Sequence, residues 1–288
     1  MADLASLVTL ARPRHWVKNV FVLMPLPASQ AAGATVDLGP LALGVAGFSL
    51  VNSAVYAFND ANDAELDRQH PDKRDRPVAS GRVSVGAARA LSLFLLLVGA
   101  GLVWMTGSEG AMQITLAYVL INLTYCLWAR SVALLDVFLL SSGYLLRVLL
   151  GCALVGVVAS NWLLLCTSTL ALFLALAKRR SDVVAGVDGS LRPSLRGYNQ
   201  AFLDQAIGIT SGMALIAYAM YCMEAEVLVD GREFATLPFV AYGVFEYLRV
   251  VHVKGRGGSP VDLVLSDPTL LLAGVGWVVA TVWSLGML

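Results

Sequence analysis

The sequence predicts an all-α polytopic membrane protein, a bundle of about nine transmembrane helices around a cavity that opens to the cytoplasm. Three observations carry this. Hydrophobic residues make up 58% of the 288 and the mean hydropathy is +0.73, which suits a chain solvated by lipid rather than one folded around a single water-excluding core. Apolar runs of spanning length recur from end to end. Charged residues collect in a few short intervals between those runs, and nearly all the positive ones fall on one side of the helix count. The 20 Lys and Arg balance 20 Asp and Glu, so nothing in the overall charge favours nucleic acid as a partner.

Taken in order, helices are expected over residues 15–32, 38–58, 85–106, 111–128, 132–157, 161–177, 201–222, 234–253 and 269–288. The first apolar run follows Arg12, Arg14 and Lys18, is interrupted by Pro25 and Pro27, and lacks a small-residue cleavage context, so it reads as mature chain rather than a cleavable signal. With a cytoplasmic N-terminus, every Lys and Arg lies inside except Arg147, within a span, and Arg232, in an outer loop. That outer loop is acidic, carrying Glu224, Glu226, Asp230 and Glu233. Trp16, Trp104, Trp128, Trp162 and Trp283 sit near predicted span ends, as interfacial anchors do. The whole of 1–288 reads as one domain with polar cytoplasmic loops at 59–84, 178–200 and 253–268.

The first of these loops is the densest. Residues 59–82 hold six carboxylates and five Lys or Arg. If the second helix continues through Asn59, a step of about 100° per residue puts Asp60, Asp63 and Asp67 at roughly 0°, −60° and −20°, and Glu65 at roughly 140° on the opposite side. Three carboxylates then share a face at a helix end. Such oxygens suit a hard cation like Mg2+, which bridges one or two carboxylates to substrate phosphates, and this points to a diphosphate substrate. Lys73, Arg74 and Arg76 follow at once as phosphate partners, although positive cytoplasmic loops also serve as topology anchors. Asn59 adjoins the aspartates, and Asn52 and Tyr56, two turns and one turn earlier, are candidates for the wall beneath them.

Arg14 and Lys18, beside Trp16, could receive a lipid phosphate at the membrane surface. Asp136 is placed to border the cavity. Arg147 lies about 24 Å beyond Ser131 at 1.5 Å per residue, too deep for a surface phosphate, and is expected to be paired structurally. In the second polar loop Lys178 and Asp182 are i,i+4 neighbours, with Arg179 beside them and Arg192, Arg196 and Tyr198 following. The third carries Lys254, Arg256, Asp262 and Asp267 among glycines. The three loops share too little identity to count as a repeat. Cys126, Cys152, Cys166 and Cys222 fall in apolar segments without ligand or redox spacing, and His15, His70 and His252 lack ligand spacing.

Residues 59–67, NDANDAELD, read N-D-x-x-D-x-x-x-D. Together with the nine-span helical chain, this resembles the UbiA superfamily of intramembrane prenyltransferases. RPRHWVKN near the start, HPDKRDRPVASG after the aspartates, LALAKRRSD after the sixth helix and LVLSDPTLL before the last resemble more narrowly its decaprenyl-phosphate phosphoribosyltransferase branch. The resemblance implies transfer of 5-phosphoribose from phosphoribosyl diphosphate to a polyprenyl phosphate, with Mg2+ and release of diphosphate, feeding arabinose donors for cell-envelope glycans. It implies a plasma (inner) membrane protein with its site facing the cytoplasm. Asp60, Asp63 and Asp67 are then the metal and catalytic set. Arg14, Lys18, Asn59, Lys73, Arg74, Arg76, Lys178, Arg179, Asp182, Arg196 and Tyr198 are the substrate-binding set.

Two departures keep alternatives open. Aromatic prenyltransferases of the superfamily carry a second D-x-x-x-D after the sixth helix, whereas Asp182 and Asp188 stand six apart beside Lys178, Arg179 and Arg180. The phosphoribosyltransferase branch more often has Glu where this chain has Asp182. The competing readings are therefore prenyl transfer to an aromatic acceptor and, from another class, transport. Transport fits less well because the carboxylates gather at one surface rather than near the midplane. A polyprenyl phosphate is already an anionic nucleophile, so the favoured reaction needs positioning and leaving-group stabilisation rather than a general base.

The charge asymmetry makes a direct prediction. A topology reporter fused after Leu288 should read as periplasmic or extracellular and one inserted near Gly189 as cytoplasmic; the reverse pattern would sink the nine-span arrangement.

Overall fold

In a computed structural model the chain is all-helical among the described residues, which are all but 1–2, 32, 34, 71–72, 190–191, 256–262, 265 and 288. Arg256 and Asp262 of the third polar loop lie outside them. The helices are α1 (Leu4–Ala11), α2 (Pro25–Ala31), α3 (Leu38–Asn62), α4 (Ala64–Gln69), α5 (Val85–Trp104), α6 (Glu109–Leu127), α7 (Leu135–Val155), α8 (Asn161–Val184), α9 (Gln200–Glu224), α10 (Leu237–His252) and α11 (Pro268–Ser284). Six of these, α3 and α5–α9, are long and apolar enough to cross a membrane. At 16 and 17 residues, α10 and α11 are shorter than the roughly 20 residues of a full span.

Helix starts follow local chemistry. Asp3, Asp37, Ser84, Ser108, Asn199 and Asp267 each accept a backbone N–H of the first turn through the side chain, satisfying donors that have no partner within the helix. The expected first span, 15–32, is instead two pieces: a 3₁₀ helix over Pro13–Leu23 and the short α2. Pro25 and Pro27 explain the division, because each removes a backbone donor and crowds the preceding turn. At the other extreme, α8 runs on through Val184, so Lys178, Arg179 and Asp182 are helical residues rather than members of a loop.

The chain forms two compact units. The first comprises Met1–Leu26, Thr35–Arg130 and Leu146–Val158, and the second Pro27–Ala34, Ser131–Leu145 and Ala159–Leu288. Its first half puts α7 in the second unit, its second half in the first. In the first unit α3 is the central element, packed along α5, and Phe48, Val51, Val103, Tyr118 and Leu150 are buried around it. A smaller cluster of Leu10, Ala57, Ala61, Val78 and Val83 lies under the polar end of α3. In the second unit α8 packs along α9, with Phe173, Leu176, Leu203, Ile207, Tyr247 and Val250 buried. The outward residues of α5, among them Leu93, Phe94 and Leu97, are apolar and exposed, as a lipid-facing helix surface should be.

The closeness of α3 and α5 is set by two glycines. A Cβ on Gly47 would stand 2.6 Å from the Gly99 carbonyl oxygen, and one on Gly99 would stand 2.6 Å from that of Gly47 and 2.9 Å from the Val51 nitrogen. Small residues allow this approach, which is where helix association in lipid gains its packing energy. Gly101, on the same helix, has open space around it. Gly99→Val should therefore cost about 1–3 kcal/mol by overpacking and lower the melting temperature in detergent. Gly101→Ala should leave it unchanged or raise it, since alanine is the better helix former by about 1 kcal/mol.

Candidate functional site

The polar end of α3 is built in the first unit. Asp60, Asp63 and Asp67 are all buried, at 2%, 8% and 3% exposure, while Glu65 faces solvent and pairs with Arg68 at 2.7 Å. The helix does not continue straight through them. It stops at Asn62, Asp63 takes φ −96° and ψ 3°, and α4 begins at Ala64. That break turns Asp63 aside. Its Oδ1 lies against the Arg130 guanidinium, whereas Asp60 and Asp67 are bridged by one guanidinium nitrogen of Arg76, at 3.2 and 2.7 Å. Lys73 lies 3.8 Å from Asp67. Of the expected three-carboxylate face, two members stay together and the third has its own cation.

A residue outside the sequence-derived set completes this cluster. Arg12 caps α1 in the left-handed region, φ +52°, and donates to Asp60 Oδ1 at 2.6 Å while its guanidinium lies 5.0 Å from the Tyr56 ring centroid. A non-glycine residue held there stores strain of about 1–3 kcal/mol, supplied by packing of the segment that follows. The 3₁₀ helix after Pro13 explains its placement, since residues three apart eclipse in such a helix. Trp16, Asn19 and Val22 form one column: Trp16 Nε1 donates to Ser53 at 2.9 Å, Asn19 Nδ2 to Ser49 at 2.8 Å, and Val22 is fully buried. His15 stands in the next column, edge-on to Tyr56 at 5.0 Å. Arg14, Val17, Val20 and Leu23 are exposed on the third.

The other expected residues of this unit fall on the margin of the cluster. Arg14 and Arg74 are exposed, and Lys18 and Asn59 half-buried. Arg147 is buried as a structural residue, donating to Asn19 Oδ1 at 3.0 Å and to Tyr118 Oη at 3.4 Å, with the Phe48 and Tyr118 rings on its guanidinium. An apolar recess of about 630 Å³ lies between the 3₁₀ segment and α3, lined by Trp16, Leu23, Leu26, Leu41, Val45 and neighbouring residues.

Whether the cluster suits a divalent cation can be read from its donors. Among the described residues no group of three or more His, Cys, Asp or Glu is gathered tightly enough to hold a metal. Mg2+ needs less: one or two carboxylates, with water and phosphate oxygens completing its shell. Asp60 Oδ2 is buried with no hydrogen-bond partner, a hard oxygen donor left over once Arg12 and Arg76 have taken Oδ1. With Asp67 across the same Arg76, the pair fits that requirement, and the cations now on these carboxylates are the donors nearest to any phosphate bound there.

The second unit has its own buried charge, Asp136, fully inaccessible. Arg179 Nε donates to its Oδ2 at 2.7 Å, Ser194 to the same oxygen at 2.9 Å, and Tyr198 to Oδ1 at 2.6 Å. Tyr198 also accepts the Leu134 N–H at 2.6 Å, which fixes a second non-glycine residue with positive φ, +68°. Burial, then the bond to Asp136, pushes the Tyr198 hydroxyl well above its usual range, so it stays a donor. Arg179 and Tyr198, read from the sequence as substrate-binding, thus support Asp136 together with Ser194. Asp182 accepts from Arg192 at 2.7 Å and Arg179 at 3.4 Å. Lys178 is half-buried and Arg196 exposed. Farther on, Asp267 caps α11 and accepts from Lys254 at 3.2 Å; the Thr269 hydroxyl leads the contacts that hold its carboxyl well below the usual range.

Residues 20–256 match the UbiA prenyltransferase family, and the chain belongs to that family and is an integral membrane protein. It is 30% identical over 284 residues to the decaprenyl-phosphate phosphoribosyltransferase of Corynebacterium glutamicum, covering 95% of this chain and 84% of that one. Its identity to the Mycobacterium tuberculosis enzyme of the same name is 31% over 282 residues, covering 95% and 92%. The fold is shared with a UbiA homolog from Archaeoglobus fulgidus bound to GPP and Mg2+, at a TM-score of 0.73 and 17% identity over 98% of both chains.

The supporting role of Arg179 is open to a stability test. Arg179→Met leaves the buried Asp136 without its cation and should cost about 3–5 kcal/mol; Tyr198→Phe removes a hydrogen bond to a charged group, about 1.5–3 kcal/mol, and also the acceptor of the Leu134 N–H. Both should show as lower melting temperatures. A variant that kept its stability while losing donor affinity would instead mark the residue as a substrate ligand.

Proposed function

We propose that the protein transfers 5-phosphoribose from phosphoribosyl diphosphate to a polyprenyl phosphate such as decaprenyl phosphate, releasing diphosphate. The reaction would be Mg2+-dependent, run at the cytoplasmic face of the plasma membrane, and supply arabinose donors for cell-envelope glycans. The observation that carries this reading is the pair of buried carboxylates, Asp60 and Asp67, sharing Arg76 with Arg12 alongside. Likeness to phosphoribosyltransferases over nearly the whole chain supports it.

A lipid phosphate oxygen attacks C1 of the ribose, a C1–O bond forms, and the bond to diphosphate breaks with its electron pair leaving on the diphosphate. The nucleophile is already ionised, so no residue has to take a proton from it. Bound Mg2+ would neutralise the departing diphosphate, held by Asp60 and Asp67. Arg12, Arg76 and Lys73, which already stand on these carboxylates, would serve as donors to the phosphate oxygens of a diphosphate bound there. Asp63 is held by Arg130, so its role is to anchor the turn between α3 and α4. The apolar recess beside Trp16 offers a surface for the lipid chain. In the second unit, Lys178 and Arg196 are the further cations that this reading gives to phosphate recognition. The alternative, prenyl transfer to an aromatic acceptor, would want a second set of available carboxylates, and Asp182 is committed to Arg179 and Arg192.

Purified protein given labelled phosphoribosyl diphosphate and decaprenyl phosphate should move label into the lipid fraction, and EDTA should stop it. Asp60→Asn and Asp67→Asn should each lower turnover on the order of 10²-fold or more, about 3 kcal/mol in the barrier, in protein that is still folded at the assay temperature even though the lost pairs with Arg12 and Arg76 lower its melting temperature. Glu65→Gln should change turnover by less than about twofold, because Glu65 faces solvent and its exposed pair with Arg68 contributes little. Label transfer that survives EDTA, or prenylation of an aromatic acceptor in its place, would overturn the assignment.

A further inference from the structure

The inner face of α3 leads from Asp60 down through Tyr56 and Asn52 to Phe48, each four residues from the next and so aligned within about 40° per step. Partners accompany this face at three of the four positions. Arg12 and Arg76 hold Asp60, Arg12 and His15 pack on Tyr56, and Arg147 and Tyr118 lie on Phe48. Asn52 is the exception. It is 1% exposed, yet neither its carboxamide oxygen nor its nitrogen has a hydrogen-bond partner.

The polar groups of the neighbouring turns are already engaged. Ser49 donates to the Val45 carbonyl and accepts from Asn19, Ser53 accepts from Trp16, and Ser92 donates to the Ala54 carbonyl. A buried amide left without partners costs about 1–3 kcal/mol for each unsatisfied group, and a leucine of similar size would fill the same place without that cost. The position therefore suits a ligand that brings both a donor and an acceptor. Hydroxyl groups do this, whereas a prenyl chain brings neither. Asn52 lies eight residues from Asp60, about 12 Å at 1.5 Å per residue, a distance that a diphosphate and a pentose laid end to end can cover.

We infer that Asn52 is a specificity-determining residue of the donor site, binding the ring hydroxyls of the sugar while the diphosphate is held at Asp60 and Asp67. This rests on the donor proposed above and adds the feature that separates a sugar diphosphate from a prenyl diphosphate at the same carboxylates. Buried polar groups that pair with a substrate hydroxyl discriminate strongly, because a ligand lacking it leaves them unpaired.

The test is equilibrium binding to the full chain in detergent with Mg2+, using phosphoribosyl diphosphate, inorganic diphosphate and geranyl diphosphate. Asn52→Leu should weaken phosphoribosyl diphosphate about tenfold, the worth of one or two hydrogen bonds, leave inorganic diphosphate within about twofold, and leave geranyl diphosphate unchanged or tighter. Asn52→Ser, smaller and still polar, should show the same selective loss to a lesser degree, and carries the test if the leucine variant does not fold. Equal weakening of phosphoribosyl and inorganic diphosphate would make Asn52 a purely structural residue, and no change in either would leave its amide to an internal water; both overturn the inference. Wild-type protein that binds geranyl diphosphate but not phosphoribosyl diphosphate would instead overturn the donor assignment, an outcome distinct from either.

Discussion

Compensation of buried carboxylates governs this protein. A charge taken out of water costs several kcal/mol unless it is paired and hydrogen-bonded, and the chain buries Asp60, Asp63, Asp67 and Asp136 at the ends of apolar helices. Each dictates the placement of an arginine: Arg12 and Arg76 at Asp60, Arg130 at Asp63, Arg179 at Asp136. Those arginines come from distant parts of the sequence, so the pairs fix the loops and the 3₁₀ segment that carry them.

The two units answer this constraint differently. Around Asp136 both carboxylate oxygens accept hydrogen bonds, from Arg179, Ser194 and Tyr198, and the result is a closed support. Around Asp60 one oxygen is left over and one guanidinium nitrogen is shared with Asp67. A shared cation is easily exchanged for another, because neither carboxylate depends on it alone. That difference separates a charge that holds the fold from charges that can accept a ligand.

The 3₁₀ segment Pro13–Leu23 ties the membrane-facing surface to this cluster. Its three-residue repeat sorts one short stretch into a face that bonds α3, a face that packs on Tyr56 and a face left to lipid. An α-helix of the same length would not keep Trp16, Asn19 and Val22 in one line.

Much of this was readable in the chain itself. Its all-helical, membrane-spanning character follows from hydropathy alone, because a backbone in lipid must satisfy its hydrogen bonds internally. The acidic motif at 59–67, the solvent-facing Glu65 and the structural character of Arg147 follow from helical spacing and the expense of charge in an apolar medium. What spacing could not tell is where a helix breaks or which distant cation arrives. The stop at Asn62 that turns Asp63 to Arg130, the use of Arg12 rather than Arg14 at the aspartates, the engagement of Arg179 and Tyr198 with Asp136, and the solitary amide of Asn52 all depend on side chains far apart in sequence meeting in space. Local periodicity fixes which way a residue faces; only the packed tertiary structure decides what it faces, since each ion pair and each missing partner is a property of two segments at once.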